Sequence, residues 1–177
     1  GCDATSAGDL PFVYEGVDGT ALQPAPTFCN VLAYPGFWAR EPDTGIDWKR
    51  VVHAEQHIVL HAPLPASGIA IGANRVSALW DRGAGRGTLM QQERTISDEA
   101  GVPLATVSQL SLLRGNGGSG SAGAGGAAPV PYTMPGRAPD AACDHVVPGQ
   151  AALLYRLNGD LNPLHADPAV AKTAGFD

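Results

Sequence analysis

Hydrophobic and polar residues alternate along the middle of the chain in four runs that are typical of β-strands. These runs occupy residues 53–61, 69–80, 88–96 and 104–113. Turns rich in glycine, proline and acidic residues separate them, and this pattern predicts an antiparallel meander. Two further short strands are expected outside this region, at residues 12–16 and 145–147.

Two short helices are predicted near the C-terminal end, on either side of a loop. The first covers residues 148–157 and is stopped by Gly159, which permits a sharp turn. The second begins with Asp167 as its N-cap and Pro168 in its first turn, and it ends at Gly175. The sequence therefore predicts a loop that is held between two helices.

The composition argues against several classes of partner. Acidic residues number 17 against 11 lysines and arginines, and the formal net charge of -6 disfavours nucleic acid. No apolar run is long enough to span a bilayer, so no membrane partner is expected. The three cysteines are scattered without a CxxC pair, which predicts neither a disulfide framework nor a zinc knuckle and favours the cytoplasm.

Residues 115–128 consist almost entirely of glycine, alanine and serine. This composition predicts a flexible linker or a disordered loop, which a proline-containing stretch extends to residue 140. Residues 118–123 fit the pattern GxGxxG, but no helix is expected to begin there. A nucleotide-binding loop is therefore not predicted.

Three histidines, His53, His57 and His61, are spaced four residues apart. On a helix they would form one stripe and suggest a metal site. The neighbouring β-branched residues and the prolines that follow favour a strand, where residues four apart are separated by about 13 Å. One ion cannot be chelated across that distance, so no metal site is predicted.

The stretch YRLNGDLNPLH at residues 155–165 carries the most chemistry in the chain. Pro163 excludes a regular helix or central strand, so Asp160, Asn162 and His165 should be displayed from a shaped loop. A carboxylate beside an imidazole is a usable proton-transfer pair near neutral pH. The alternative is a helix-turn-helix with a solvated aspartate and a surface histidine.

This stretch closely resembles the signature of the MaoC-like (R)-specific enoyl-CoA hydratases, also called type 2 enoyl-CoA hydratases. The resemblance continues through residues 166–177, and upstream it includes YEG at 14–16, PTF at 26–28 and HAEQ at 53–56. It implies an α+β protein with a double hot-dog plan and an antiparallel sheet, whose second hot-dog is incomplete here. It also implies reversible hydration of trans-2-enoyl-CoA to (3R)-3-hydroxyacyl-CoA in fatty-acid metabolism, such as β-oxidation.

The resemblance implies a role for each matching residue. Asp160 and His165 would hold and deprotonate water, and Asn162 would hold the water or orient its neighbours. Glu15 is an accessory candidate, with a surface strand position as the alternative, and Arg82 would lie near the CoA unless it is an ordinary turn residue. The residues implied in substrate binding are Gly159, Leu161, Pro163, Leu164, His53, Ala54 and Arg82, and Ala54 replaces a glycine of the family motif.

The resemblance also implies a division of the chain. Residues 1–114 would form a non-catalytic hot-dog half that binds acyl-CoA, residues 115–140 a linker, and residues 141–177 the start of the catalytic half. Both ends look like cut points, and a homodimer or a pairing with the rest of the second hot-dog is expected. Acyl-CoA would be the substrate, and no cofactor is needed. The alternatives are a 3-hydroxyacyl-carrier-protein dehydratase and a non-catalytic acyl-CoA-binding module.

Overall fold

Five antiparallel strands form the centre of the protein in the computed structural model, which describes residues 5–16, 22–123 and 126–175. The strands lie in the order β1-β4-β3-β2-β5. Their bounds are β1 Val51–Leu60, β2 Ile71–Asp81, β3 Thr88–Ser97, β4 Pro103–Leu113 and β5 Ala122–Gly123. The four strands predicted from alternation are confirmed, with ends that shift by one or two residues.

Short polar turns connect the meander of β2, β3 and β4. Between β3 and β4, the carboxylate of Asp98 accepts hydrogen bonds from the backbone N–H groups of Ala100 and Val102 at 2.9 and 2.8 Å. Gly101 occupies the left-handed region in this turn, with φ of 82°. An aspartate that binds the backbone of its own turn fixes the register of the two strands that it joins.

A bulge in β1 controls the direction of the three histidines. His53 pairs with Ser111 of β4 and Glu55 pairs with Leu110, so Ala54 is the additional residue. His57 pairs with Ser108, which lies three positions from Ser111 and therefore on the opposite face of β4. The predicted strand is confirmed, and the bulge turns His53 and His57 to different sides. Among the described residues, no group of three or more histidines, cysteines and acids is placed to hold a metal ion.

The hydrophobic core lies between the sheet and a 3₁₀ turn at Pro26–Asn30. The buried core residues are Cys29, Ile96, Leu104, Ala105 and Val107. We call the side of the sheet that carries Ile96, Ala105 and Val107 the inner face; the register places Ile96 opposite Ala105 on it. The segment after the 3₁₀ turn continues across this face, where Trp38 Nε1 donates to Gln92 Oε1 at 3.1 Å.

Two short helices lie near the C-terminal end, as expected. Helix α1 spans Ala151–Leu157 and helix α2 spans Pro168–Thr173. The Asp167 side chain accepts the first N–H groups of α2, and Gly175 follows the helix with φ of 83°, so both predicted caps are confirmed. No helix in the described part of the chain is long and apolar enough to cross a membrane.

Two of the expected strands are wrong. Residues 12–16 form no strand, because Phe12 ends a 3₁₀ turn at Leu10–Phe12 and a further turn follows. Pro11 presets the helical φ there, and Phe12 N–H donates to Asp9 O. Residues 145–147 have β-branched side chains but no partner strand, and Val146 is 86% exposed. A high β-propensity does not make a strand where no neighbouring edge accepts its hydrogen bonds.

The prediction of a structureless linker is wrong for residues 118–123. Asp81, at the end of β2, accepts hydrogen bonds from the backbone N–H groups of Gly118 and Gly120 at 2.9 and 2.6 Å. It also accepts one from Gly83 N–H at 2.8 Å, while Ser121 Oγ accepts the N–H of Asp81 itself. The segment lacks large apolar side chains, but its backbone N–H groups are suitable donors for a carboxylate. We call this arrangement the Asp81 clasp.

The Asp81 clasp should open in acid. Hydrogen bonds from Gly118, Gly120 and Gly83 hold the pKa of Asp81 below its usual value. The charged Asp81 carboxylate therefore stabilises the folded protein fully above the ordinary aspartate pKa of about 3.9. This stabilisation is lost as the pH falls through the lower pKa that Asp81 has in the folded protein. We expect the amide signals of Gly118 and Gly120 in NMR spectra to move together only in this acidic range.

Asp81→Asn should abolish this coupled titration and increase hydrogen exchange in residues 118–123. Asp140→Asn is the matched control, because Asp140 is an exposed acid that is paired with Arg137 elsewhere. Unchanged glycine signals and exchange in the Asp81→Asn protein would contradict the clasp.

Candidate active site

The loop between α1 and α2 displays the predicted proton-transfer pair. Gly159 ends the first helix with φ of 111°, a backbone conformation that residues other than glycine rarely adopt. Pro163 begins a single 3₁₀ turn, Pro163–His165, and the guanidinium of Arg156 donates to the carbonyl of Leu161 at 3.0 Å. Gly159, Pro163 and the hydrogen bond from Arg156 therefore fix the backbone of the loop.

Asp160 and His165 lie side by side in this loop. The Nε2 atom of His165 is 3.9 Å from Oδ2 of Asp160, and both side chains are partly exposed to solvent. The other carboxylate oxygen, Oδ1, accepts the backbone N–H of Asn162 at 2.9 Å. One oxygen of Asp160 thus fixes the turn, while the other faces the imidazole at a distance longer than a direct hydrogen bond.

Asn162 shapes the loop through its own side chain. Its Oδ1 atom accepts the N–H of Leu164 at 3.0 Å and caps the 3₁₀ turn that carries His165. This use leaves the Nδ2 donors of Asn162 for other contacts. In the structure, Asn162 therefore positions His165, and its part in binding water stays a prediction.

Two tyrosines that were given no role in the sequence analysis lie beside the pair. The ring of Tyr155 on α1 stacks edge-on against His165, with centroids 5.8 Å apart. Burial first, and then the negative charge of Asp160, raise the pKa of Tyr155. The same two causes, in the same order, raise the pKa of Tyr34, which lies in the segment that crosses the inner face. Asp160 is therefore flanked by two neutral phenols at neutral pH.

The position of Tyr155 could be found from the sequence, whereas that of Tyr34 could not. Tyr155 precedes Asp160 by five residues and is the first residue of the predicted motif. Tyr34 is more than a hundred residues away in sequence, and only the tertiary fold brings it near the loop. Gly159, Leu161, Pro163 and Leu164 lie in the loop itself, as predicted.

The other predicted site residues lie on the sheet and its turns. His53 and Ala54 form part of the β1 bulge, where His53 Nε2 is 3.0 Å from the carbonyl of Glu55. Arg82 is exposed in the turn after β2, and its N–H donates to Gly87 O at 3.1 Å. Glu15 is exposed in a turn near the N-terminal end. Their roles in substrate binding stay predictions.

Sequence comparison identifies the family of the chain through its N-terminal part. The chain matches the family described as MFE-2 hydratase 2 N-terminal domain over residues 1–115, which is more than half of its length. The chain therefore belongs to this family. The resemblance to type 2 enoyl-CoA hydratases that the motif implied is confirmed.

Two curated relatives are similar to the chain over most of its length. The chain is 38% identical over 171 residues to 3-hydroxyacyl-thioester dehydratase Y of Mycobacterium tuberculosis, covering 96% of this chain and 58% of that protein. It is 39% identical over 160 residues to enoyl-CoA hydratase ChsH3 of the same organism, covering 87% and 54%. The chain thus spans a little more than half the length of these relatives.

Solved structures of hydratase relatives share the fold. A MaoC-like dehydratase from Phytophthora capsici superposes with a TM-score of 0.70 at 30% identity, covering 95% of this chain and 59% of that chain. The peroxisomal multifunctional enzyme type 2 of Drosophila melanogaster gives a TM-score of 0.72 at 29% identity, covering 99% and 30%. The protein is thus an α+β protein of the hot-dog class, as expected.

The charge of Asp160 should be measurable through Tyr155. In the Asp160→Asn protein, we expect the pKa of Tyr155 to fall towards its ordinary value of about 10, because the negative charge that disfavours the phenolate is removed. Tyr34 should shift in the same direction. NMR titration of tyrosine labelled at the ring Cζ atom resolves the two residues.

Asp140→Asn is the control for this titration, because it removes an equal charge from a site where Arg137 is the partner. Equal tyrosine titrations in the Asp160→Asn and Asp140→Asn proteins would show that Asp160 does not lie beside these phenols.

Proposed function

We propose that the complete protein hydrates trans-2-enoyl-CoA to (3R)-3-hydroxyacyl-CoA and catalyses the reverse dehydration. The observation that supports this most directly is the Asp160–His165 pair, held in a shaped loop of a chain that belongs to a hydratase family. The reaction adds OH from water to C3 and delivers a proton to C2 of the conjugated thioester. It requires a base, a proton donor and a site for the developing enolate oxygen.

The geometry of the pair suits a shared water molecule. A gap of 3.9 Å between Asp160 Oδ2 and His165 Nε2 is too long for a direct hydrogen bond, and a water bonded to both atoms would span it. Asp160 would accept the water proton as OH attacks C3, and His165 would help to hold the water and pass the proton on to C2. The proton that Asp160 takes from water is the one that reaches C2, so one water molecule is consumed and the loop returns to its starting protonation state.

The two tyrosines would assist without transferring a proton. Because burial and Asp160 raise the pKa of Tyr155 and of Tyr34, both stay neutral and can donate hydrogen bonds at neutral pH. The edge-on contact with Tyr155 also limits the rotation of the His165 ring. As proposed, the reaction needs no metal and no cofactor beyond the CoA thioester itself.

Dehydration of a 3-hydroxyacyl thioester is the second candidate for the favoured direction. The name of one relative, 3-hydroxyacyl-thioester dehydratase Y, favours it. The same base and donor serve both directions, because the forward and reverse reactions share one transition state. Either CoA or an acyl carrier protein could present the thioester, and exposed Arg82 is the predicted contact for the CoA phosphates.

We also propose a homodimer, or a pairing of this chain with the rest of the second hot-dog, working in the cytoplasm. The free cysteines Cys29 and Cys143 are consistent with a reducing compartment. Relatives include peroxisomal enzymes, so the peroxisome is the alternative location. A role in β-oxidation follows from the proposed reaction.

Substitutions in the pair provide the main test of this function. In the full-length protein, Asp160→Asn and His165→Ala should each lower kcat by about a hundred- to ten-thousand-fold, because each removes a positioned acid-base group. KM should change far less, since the CoA and the acyl tail bind elsewhere. Loss of the conjugated-thioester absorbance gives kcat and KM directly.

The double variant should be scarcely slower than the slower single variant, because groups that act in one step lose rate non-additively. Asp140→Asn, an exposed acid outside the loop, should retain the wild-type kcat. Near wild-type kcat in both folded single variants would remove the hydratase role from these residues.

A further inference from the structure

A cavity of about 300 Å³ lies between the inner face and the segment that crosses it. Its apolar walls include Trp38, Val76 and Val107. Three glutamine side chains lie in a row across β1, β4 and β3 at the floor of the cavity. Gln56 pairs with Gln109, and Gln109 pairs with Gln92. The cavity thus combines hydrocarbon walls with a polar strip.

Arg94 is the most unusual group that lines this cavity. Its side chain lies on the inner face, and the residue is only 7% exposed. One terminal nitrogen donates to the carbonyls of Cys29 and Asn30. Its Nε atom is buried without a hydrogen-bond partner, and among the described residues no carboxylate lies within ion-pair distance of the guanidinium.

A buried cation without an anion is costly, and the structure shows that cost. Burial lowers the pKa of Arg94, because the charged form loses its hydration. Two backbone carbonyls and the face of Tyr34, whose ring centre is 5.6 Å from the guanidinium carbon, offset this cost only in part. Arginines this buried are usually paired with a carboxylate or a phosphate.

The neighbouring polar atoms also lack partners. Oδ1 of Asn30 is buried without a hydrogen bond, and Asn30 lines the cavity beside Arg94, which donates to its backbone carbonyl. Rotation of this amide would present its NH₂ donors instead, so Asn30 can serve a ligand oxygen beside the guanidinium. Gln92 uses its oxygen to accept from Trp38, which leaves its NH₂ group for a ligand.

Tyr34 relates the cavity to the loop that carries Asp160 and His165. It lines the cavity, stacks on Arg94 and feels the charge of Asp160. Tyr34 is therefore the residue through which the cavity and the Asp160–His165 pair are related.

We propose that the Arg94 cavity binds a carboxylate at the far end of the acyl group, so that the enzyme favours acyl thioesters that end in a carboxylate. This inference rests on the proposed function in taking an acyl thioester as the ligand. A single guanidinium in a small, mostly apolar cavity matches one carboxylate at the end of a hydrocarbon chain. A phosphate would carry more charge than Arg94 neutralises, and Arg75 nearby is already paired with Glu93.

Binding of free ligands tests the carboxylate site without any turnover. By calorimetry, hexanoate should bind the wild-type chain saturably, while hexanol should bind weakly. Arg94→Met keeps the side-chain length and removes the charge, so it should weaken hexanoate binding by about tenfold or more, as expected for a charged hydrogen bond. It should leave hexanol binding unchanged.

Arg137→Met is the control, because Arg137 is an exposed arginine outside the cavity with its own partner, Asp140. It should bind hexanoate like the wild type. If Arg94→Met fails to fold by circular dichroism, Arg94→Lys keeps the charge but loses the planar fork, and it should show a smaller loss of binding. Equal affinity for hexanoate and hexanol in the wild type, or hexanoate binding that is the same in folded variants at Arg94, would overturn the proposal.

Turnover in the full-length enzyme distinguishes an acyl end from a free carboxylate. Two trans-2-enoyl-CoA esters of equal chain length, one ending in a carboxylate and one in a methyl group, should differ by about tenfold in KM, and Arg94→Met should remove this preference. Hexanoate binding with no preference between the esters would overturn the acyl-end assignment. Turnover of neither ester, with Arg94-dependent hexanoate binding intact, would count against the hydratase function and support the carboxylate site.

Discussion

The buried guanidinium of Arg94 connects the central sheet with the segment that covers it. From the inner face of the sheet it donates to the carbonyls of Cys29 and Asn30 and so holds the N-terminal segment over the core. Tyr34 in that segment stacks on the guanidinium and lies within the electrostatic reach of Asp160. Arg94 therefore links the sheet to the covering segment, and Tyr34 in that segment lies close enough to Asp160 to feel its charge.

A second constraint is the use of aspartate carboxylates to hold backbone N–H groups. Asp98 fixes the turn between β3 and β4, Asp81 holds the glycine-rich segment against the sheet, and Asp167 caps α2. Asp160 repeats this device, since one of its oxygens accepts the N–H of Asn162. What separates Asp160 from the other three is His165 beside its second oxygen. The same local chemistry that builds turns here also positions the carboxylate of the candidate site.

The elements that follow from local sequence could be predicted. Alternation located the four long strands because side chains in a strand point to opposite faces, and the Asp167, Pro168 and Gly175 signals located α2. The expected strand at residues 145–147 did not form, because no neighbouring strand pairs with these residues despite their high β-propensity. The Asp81 clasp was missed because composition records side chains, whereas the clasp depends on backbone donors.

The motif predicted the loop of the candidate site, but not what surrounds it. Asp160, Asn162 and His165 lie within six residues, so their proximity is local. Tyr34 and Arg94 reach the site only through the register of β3 with β4 and the path of the N-terminal segment. No pattern in one sequence encodes that meeting, because it depends on contacts between residues that are far apart in the chain.

The stereochemistry of the product tests the central claim most directly. The full-length protein is incubated with trans-2-enoyl-CoA, and the product is oxidised by dehydrogenases specific for (3R)- or (3S)-3-hydroxyacyl-CoA. The account predicts loss of the conjugated absorbance and oxidation by the (3R)-specific enzyme, with the rate about a hundred- to ten-thousand-fold lower in Asp160→Asn. No loss of absorbance, a (3S) product, or full activity in folded Asp160→Asn protein would contradict it.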